Sequence, residues 1–223
     1  MADYQTARVR MVDNQLRTND VTDRRVLSAM GAIPREMFVP ASKRPTAYID
    51  DDVCVSPASE DTPARYLLKP HVLAKLLQLA EFETSDLALV VGCASGYSAA
   101  VIAQIAESVV GLEVSEKLAS EASETISELG IDNVAVLSNK LTDGLKSEGP
   151  YDVIIVDGAV SQVPEALKEQ LKDKGRLVVI RGQGLAGQAY LYRRSGEAIS
   201  GVAAFNASAP TLPGTEQPSE FVF

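Results

Sequence analysis

The apolar run at residues 87–91 passes directly into the small-residue segment 92–96, and this junction constrains the fold more than any other part of the chain. Five consecutive apolar residues predict a strand that is buried on both faces. The glycines that follow predict a tight turn into a helix. A second apolar run, 109–112, ends at the carboxylate of Glu113. Strand, turn, helix, strand and acid in this order are typical of a nucleotide-binding α/β unit.

The rest of the chain repeats this alternation, which predicts an α/β fold with a mostly parallel sheet and helices on both faces. The predicted strands are the apolar runs 87–91, 109–112, 134–137, 153–156 and 177–180. The predicted helices between them lie at 96–107, 115–129 and 164–171. Segments 189–194 and 199–205 flank Ser195-Gly196 and predict a terminal antiparallel hairpin.

The two ends of the chain differ from this pattern. Residues 4–17 predict a first helix, and Thr22 is the expected N-cap of a second. Residues 41–64 carry three prolines and an acidic cluster, so we expect them to be extended and irregular. Pro70 suits the first position of a helix whose apolar stripe follows it. We therefore expect an N-terminal segment (1–69), a core (70–206) and a proline-containing tail (207–223) whose last three residues dock on the body.

Composition narrows the classes of function. The net charge is −9 and the sequence pI is about 4.7, with no basic stripe, which argues against a nucleic-acid partner. No apolar run approaches the roughly 20 residues of a membrane span, and residues 1–17 are too polar for a signal peptide. Two cysteines without an export signal predict a reduced, cytoplasmic protein. Cys54, Cys93 and His71 match no zinc spacing, so no metal is expected.

The segment Gly92-x-Ala94-x-Gly96 and Glu113 are the first candidates for a binding site. Glycine permits the sharp turn and a close approach of the backbone to a ligand, whereas Ala94 adds a methyl group. A carboxylate at the end of the second strand suits the two hydroxyls of a ribose. The alternatives are an ordinary strand-to-helix turn and, for Glu113, a solvated side chain before a helix capped by Ser115.

Three other residues carry open alternatives. Asp157 ends a predicted strand at the ligand-binding edge of the sheet, and it serves either an acceptor or cofactor amine or the cap of the helix near Pro164. His71 is the single imidazole, and without an acid partner in the sequence a structural role is favoured over catalysis. Cys93 lies near a helix N-terminus, which lowers a thiol pKa, but packing beneath the ligand is the favoured role.

Over nearly its whole length the chain resembles the protein-L-isoaspartate O-methyltransferase family. The matching strings are MVDNQL (11–16), DRRVLSAM (23–30), IPREMFVP (33–40), AYID (47–50), VGCASGYSAA (91–100), YDVIIVDGA (151–159), VPEAL (163–167) and GRLV (175–178). The resemblance implies a Rossmann-like methyltransferase fold, S-adenosylmethionine as methyl donor, and isoaspartyl carboxylates of damaged proteins or peptides as acceptors, a repair activity.

The resemblance also implies which residues form the site. The implied cofactor residues are Gly92, Cys93, Ala94, Ser95, Gly96, Tyr97, Glu113, Val114, Asn139, Lys140 and Asp157. The segment 66–71 would form an acceptor lip that includes Leu68, Lys69 and His71. We name no catalytic residue, because a carboxylate of pKa about 4 is already ionised and needs no general base.

Several of these positions depart from the family pattern. Val90 stands where an acid is usual, Ala94 replaces a glycine, Asn139 replaces an aspartate, and Leu68 lacks an expected hydroxyl. If the lost hydrogen bonds are not replaced, we expect cofactor binding weaker by about 1–3 kcal/mol. Two alternatives follow from the departures: a methyltransferase with another acceptor, or a non-catalytic binding protein with a degenerate cofactor site.

Overall fold

The computed structural model describes residues 3–59, 62–182 and 186–216. The α-helices are α1 (Tyr4–Met11), α2 (Arg24–Ala32), α3 (Pro70–Ala80), α4 (Tyr97–Ile102), α5 (Glu116–Glu128) and α6 (Glu165–Glu169). The strands are β1 (Val53–Ser56), β2 (Arg65–Leu67), β3 (Leu87–Val91), β4 (Ser108–Glu113), β5 (Val134–Ser138), β6 (Tyr151–Val160), β7 (Leu171–Arg181), β8 (Gln188–Ser195) and β9 (Ala198–Asn206).

Within the described residues, seven strands form one sheet in the order β5-β4-β3-β6-β7-β8-β9. Strands β3 to β7 run parallel, and β8 and β9 are antiparallel to their neighbours. The predicted α/β architecture and the terminal hairpin are therefore confirmed. The first predicted strand, 87–91, matches its observed limits, because the apolar run begins after Asp86 and ends at the turn-forming Gly92.

One prediction about the strands is wrong in detail. The run 134–137 was expected to be buried on both faces, but β5 is the edge strand and its side chains are half-buried or exposed. An edge strand lacks a neighbour on one side, so its residues share less of the core even when they are apolar. The predicted helix 96–107 is also shorter than expected, since α4 ends at Ile102.

The N-terminal segment packs on the sheet layer through a shared apolar core. Buried side chains of α2, including Met30, belong to the same hydrophobic cluster as those of α3 and α4. Thr22 was the wrong N-cap: Asp23 caps α2 by accepting a hydrogen bond from the backbone N–H of Arg25. The backbone N–H of Thr22 instead donates to the side chain of Gln78 in α3, 2.7 Å away.

Residues 41–64 contain more structure than their prolines predicted. A short 3-10 helix spans Ala41–Thr46, and β1 pairs with β2 as an antiparallel ribbon. Strand alternation was hard to detect here because each strand is only three or four residues long. The ribbon lies directly before α3, whose first helical residue is Pro70 as predicted.

The tail was expected to be irregular, and of it residues 207–216 are described. Thr211 makes an isolated bridge to Ala159 of β6, and Leu212 is buried against the body. The predicted docking of Phe221, Val222 and Phe223 lies outside the described residues. No helix in the described ranges combines the length and apolar character that crossing a lipid bilayer requires.

A buried ion pair ties the end of α3 to β7. Arg176 Nη2 lies 2.7 Å from Asp86 Oδ2, and the guanidinium also donates to the carbonyl groups of Ala80 and Glu81. Both side chains are at most a tenth exposed. The pair therefore fixes the turn between α3 and β3, which sets where β3 enters the sheet.

Replacing Arg176 with alanine is expected to lower the free energy of unfolding by roughly 3–5 kcal/mol, because Asp86 would remain buried without its partner. Urea denaturation followed by circular dichroism measures this loss. Lys117→Ala breaks the exposed pair with Glu121 and is the matched control, with no measurable change expected. Equal effects of the two substitutions would contradict the role assigned to the buried pair.

Candidate functional site

The strand registers bring three chain positions together at the carboxyl edge of the sheet. Val91 pairs with Leu112 of β4 and with Val156 of β6. The next residue of each strand therefore lies in one row, and these residues are Glu113, Gly92 and Asp157. Ligands bind at this edge in open α/β sheets. The structure thus brings together the three residues that the sequence selected, but Asp157 does not end its strand as predicted, because β6 continues to Val160.

The turn after β3 has an unusual backbone. Gly92, Ala94 and Gly96 all lie in the left-handed region, with φ of +80°, +49° and +93°. Glycine adopts this conformation freely, whereas an L-residue such as Ala94 pays about 1–2 kcal/mol. The predicted tight turn is confirmed, and it holds even at the position where a methyl group replaces hydrogen.

Glu113 is fully buried and holds this turn in place. Its Oε2 accepts a 2.8 Å hydrogen bond from the backbone N–H of Ala94, and its Oε1 accepts a 3.0 Å bond from that of Val114. The alternative that Glu113 is solvated is therefore wrong. Ser115 caps α5 as that alternative proposed, so both features coexist.

Arg65 is the partner of Glu113, and sequence reasoning missed it. Its guanidinium contacts both carboxylate oxygens, at 3.1 Å from Nε to Oε1 and 3.0 Å from Nη2 to Oε2. Nη2 also donates to the carbonyl of Gly92 at 2.9 Å. The two side chains are 4% and 0% exposed, so the ion pair is inside the protein. The 48-residue separation between the partners left no local signal.

Leu212 of the tail covers the same turn from another side. A Cβ on Gly92 would lie 2.8 Å from Leu212 Cδ2, and one on Gly158 would lie 2.6 Å from that atom. The tail is anchored by backbone hydrogen bonds between Ala159 and both Pro210 and Leu212. Leu212 therefore fills the space that the glycines leave open, a contact that its proline-rich surroundings did not predict.

Asp157 lies in β6 and is 3% exposed. Its Oδ1 has no hydrogen-bond partner among the described residues. Burial raises the pKa of this carboxyl to about 6, against the opposing effects of the Ser98 hydroxyl and then of Arg65 and Arg35. The alternative that Asp157 caps a helix is not what the structure shows, since α6 begins after Pro164 without a side-chain cap.

Cys93 and Ser95 of the turn both contact other parts of the protein. Cys93 is fully buried against Gly111, and burial raises the pKa of its thiol well above the usual range, with Glu113 and Asp157 adding to the effect. A neutral packing thiol is thus the outcome, as favoured. The Ser95 hydroxyl donates to the carbonyl of Phe38.

Tyr97 is also fully buried, and it contacts the N-terminal segment. Its ring meets Phe38 edge-on at 5.6 Å between centroids, and the Arg35 guanidinium lies 4.8 Å from its centroid. Arg35 donates to the carbonyls of Ala47 and Leu68. This buried arginine thereby connects α4 to the segment that precedes α3, a role the sequence analysis did not assign.

The expected adenine end of the site is open to solvent. Val114 is 38% exposed, and Asn139 and Lys140 are exposed. Asn139 Nδ2 donates to the carbonyl of Gly144, which organises the turn after β5. These side chains border the row of strand ends without closing it.

The expected acceptor lip is only partly exposed. Leu68 is 2% exposed and packs in the core, while the backbone N–H of Lys69 donates to Asp52. His71 has the acid partner that the sequence did not reveal: both oxygens of Asp50 lie 2.7 Å from its Nδ1. The acidic cluster at 50–52 therefore organises the start of α3.

Comparison with known proteins gives one consistent family. The family model described as protein-L-isoaspartate(D-aspartate) O-methyltransferase matches residues 7–204. Protein-L-isoaspartate O-methyltransferase 2 of Shewanella sediminis is 38% identical over 80% of this chain and 71% of its own. The Rhodopseudomonas palustris protein-L-isoaspartate O-methyltransferase is 40% identical over 76% of this chain and 75% of its own.

Two solved structures share the fold. A protein-L-isoaspartate O-methyltransferase superposes with a TM-score of 0.80 at 27% identity, covering 93% of this chain and 66% of that one. A Plasmodium falciparum protein, described as a putative protein-L-isoaspartate O-methyltransferase in complex with S-adenosyl-L-homocysteine, gives 0.75 at 22% identity, covering 95% and 99%. The second likeness concerns the fold alone.

Asp157→Asn is expected to stabilise the protein at neutral pH. The pKa of this carboxyl is 3.8 in the unfolded chain and about 6 in the folded protein. Between these two pH values the folded state therefore binds more protons than the unfolded state. Stability attributable to Asp157 therefore falls as pH rises through this window. The substitution should add about 1–3 kcal/mol above pH 6 and little below pH 4. Urea titrations across pH 4–8 measure it, and a pH-independent difference would contradict this assignment.

Proposed function

The chain belongs to the protein-L-isoaspartate O-methyltransferase family, and from this premise we propose that it methylates isoaspartyl carboxylates of damaged proteins with S-adenosylmethionine as donor. The observation that carries the proposal is the buried Glu113 carboxylate, bonded to the turn after β3. A carboxylate in this place suits the two ribose hydroxyls of a nucleoside. The match across residues 7–204 includes every residue of the row of strand ends.

Two observations support the fit of S-adenosylmethionine to these residues. Asp157 Oδ1 is buried without a hydrogen-bond partner among the described residues, and a cationic amino group of a ligand would satisfy its hydrogen-bonding capacity. The turn at Gly92 leaves no side chain between β3 and a ligand. In the described conformation Arg65 and Leu212 fill that space, so the fit requires these two side chains to move.

When bound, the cofactor supplies an electrophilic methyl group on a sulfonium. The chain's own residues then have a positioning task, because an isoaspartyl carboxylate is already ionised at neutral pH and needs no base. Glu113 and Asp157 hold the two polar ends of the donor at fixed places along the strand ends.

A second candidate keeps methyl transfer but changes the acceptor. It is favoured by Leu68, whose buried side chain offers no hydrogen bond where the family presents a hydroxyl. Near the start of α3 lie Lys69, whose Nζ is 4.0 Å from Asp52 Oδ2, and the His71–Asp50 pair. A cationic lysine suits a carboxylate acceptor, so the isoaspartyl proposal remains the first to test.

Calorimetric titration with S-adenosylhomocysteine tests the cofactor part of the proposal. The native protein is expected to bind it, and Asp157→Asn to weaken binding by roughly 10–100-fold through loss of a charged hydrogen bond. Asp152→Asn, on the same strand but at its opposite end, is the matched control with unchanged affinity. If Asp157→Asn binds S-adenosylhomocysteine more weakly but is more stable than the native protein, the lost affinity reflects a binding role of Asp157 and not a damaged fold.

Transfer of labelled methyl groups to an isoaspartyl peptide tests the acceptor. We expect base-labile methyl ester on this peptide and none on the same sequence with ordinary aspartate. Cofactor binding without ester formation would favour the second candidate. Absence of cofactor binding in all variants, including those described below, would refute the proposal as a whole.

A further inference from the structure

We propose that Arg65 determines cofactor affinity by competing for the cofactor site: its guanidinium occupies the place of the ribose hydroxyls on Glu113, and Leu212 occupies the adjoining space over Gly92. The inference rests on the proposed function and extends it to the regulation of the same site. The native protein is thus in a self-occupied state that binds the cofactor only when both side chains withdraw.

The hydrogen-bonding capacity of Glu113 shows why binding is competitive. A carboxylate offers about four lone-pair sites. The backbone N–H groups of Ala94, Val114 and Ser115 and two nitrogens of Arg65 already converge on it. Backbone donors are fixed by the two turns, so a ribose hydroxyl gains access only by replacing the guanidinium.

Space leads to the same conclusion as hydrogen bonding. A Cβ on Gly92 would lie 3.0 Å from Arg65 Nη2 and 2.8 Å from Leu212 Cδ2. Arg65 and Leu212 therefore fill the space beside the backbone of Gly92 that a ligand would need. The glycine keeps its role of permitting close approach, but the approaching groups belong to the chain itself.

Arg65 lies at the end of the β1–β2 ribbon, next to an irregularity in the strand register. Strands β1 and β2 form a ribbon of only three paired positions, and the register shifts between Cys54 and Ser56. Arg65 is paired with Ser56, beyond this irregularity, at the end of the ribbon. The apolar residues Val53, Val55 and Leu67 anchor the ribbon in the core, so withdrawal of Arg65 involves its side chain and this irregular end rather than release of the whole ribbon.

Competition reduces the observed affinity by a calculable factor. When only a fraction of the molecules is open, the apparent dissociation constant equals the intrinsic constant divided by that fraction. Removing the guanidinium increases the open fraction and so lowers the apparent constant. A residue that contacted the bound cofactor would have the opposite effect on substitution.

Titration of Arg65→Ala with S-adenosylhomocysteine tests the inference. We expect the apparent dissociation constant to fall at least roughly 10-fold relative to the native protein. The apo variant should melt at a lower temperature, since Glu113 loses its partner, and the ligand-induced rise in melting temperature should be larger than in the native protein.

The control for a lost buried ion pair is Arg176→Ala. It removes the guanidinium from Asp86, which precedes β3 at the end of the strand opposite the turn, and should melt at a lower temperature while S-adenosylhomocysteine affinity stays within about 2-fold of native. If Arg65→Ala binds no tighter than this control, or more weakly than native, Arg65 is a structural or cofactor-contacting residue and the inference is overturned.

Leu212→Ala keeps the inference testable if Arg65→Ala does not fold. This variant leaves the ion pair intact and opens the space over Gly92, so it should also tighten binding, and Leu167→Ala in the same apolar cluster is its control. Unchanged affinity in Leu212→Ala would contradict the role of the tail. Micromolar binding by the native protein with no gain in the variants overturns this inference alone, whereas no binding by any variant overturns the proposed function with it.

Discussion

The conformation of the whole site depends on one buried carboxylate. Glu113 accepts hydrogen bonds from the turns after β3 and β4 and pairs with Arg65 of the β1–β2 ribbon. An ionised group without water is tolerated only when its lone pairs are satisfied, so each of these contacts is required by the others. This explains why Ala94 accepts an unfavourable left-handed backbone: in that conformation its N–H reaches the carboxylate.

Asp157 lies in the same row as Glu113, but its carboxyl oxygens accept fewer hydrogen bonds. No backbone amide satisfies its Oδ1 within the described part of the chain, and burial raises its pKa to about 6. The row therefore combines Glu113, whose carboxylate accepts hydrogen bonds from backbone and guanidinium, with Asp157, whose pKa is raised by burial more than Ser98, Arg65 and Arg35 lower it. A buried polar atom without a partner is costly to the apo protein, and a ligand that supplies a cationic donor recovers that cost on binding.

Local patterns of the sequence predicted most of the fold, and long-range pairing limited the rest. The run 87–91 and the glycines after it predicted a strand and a turn because periodicity and backbone freedom are properties of neighbouring residues. They also placed Glu113 and Asp157 at one edge of the sheet. Arg65 and Leu212 were missed because their partners lie far along the chain. The residues next to an arginine or a leucine in the sequence do not indicate which distant residue it contacts. The same limit hid Asp50 as the partner of His71.

The departures from the family pattern are consistent with one another. Val90 is fully buried in the middle of the sheet, where an acid would need a partner to offset its lost hydration. Leu68 likewise belongs to the core, where the Arg35 guanidinium holds its carbonyl. In the proposed competition, the Arg65 guanidinium takes the place of ligand contacts on Glu113 and keeps the acid compensated in the free protein. This compensation stabilises the free protein at the expense of ligand affinity.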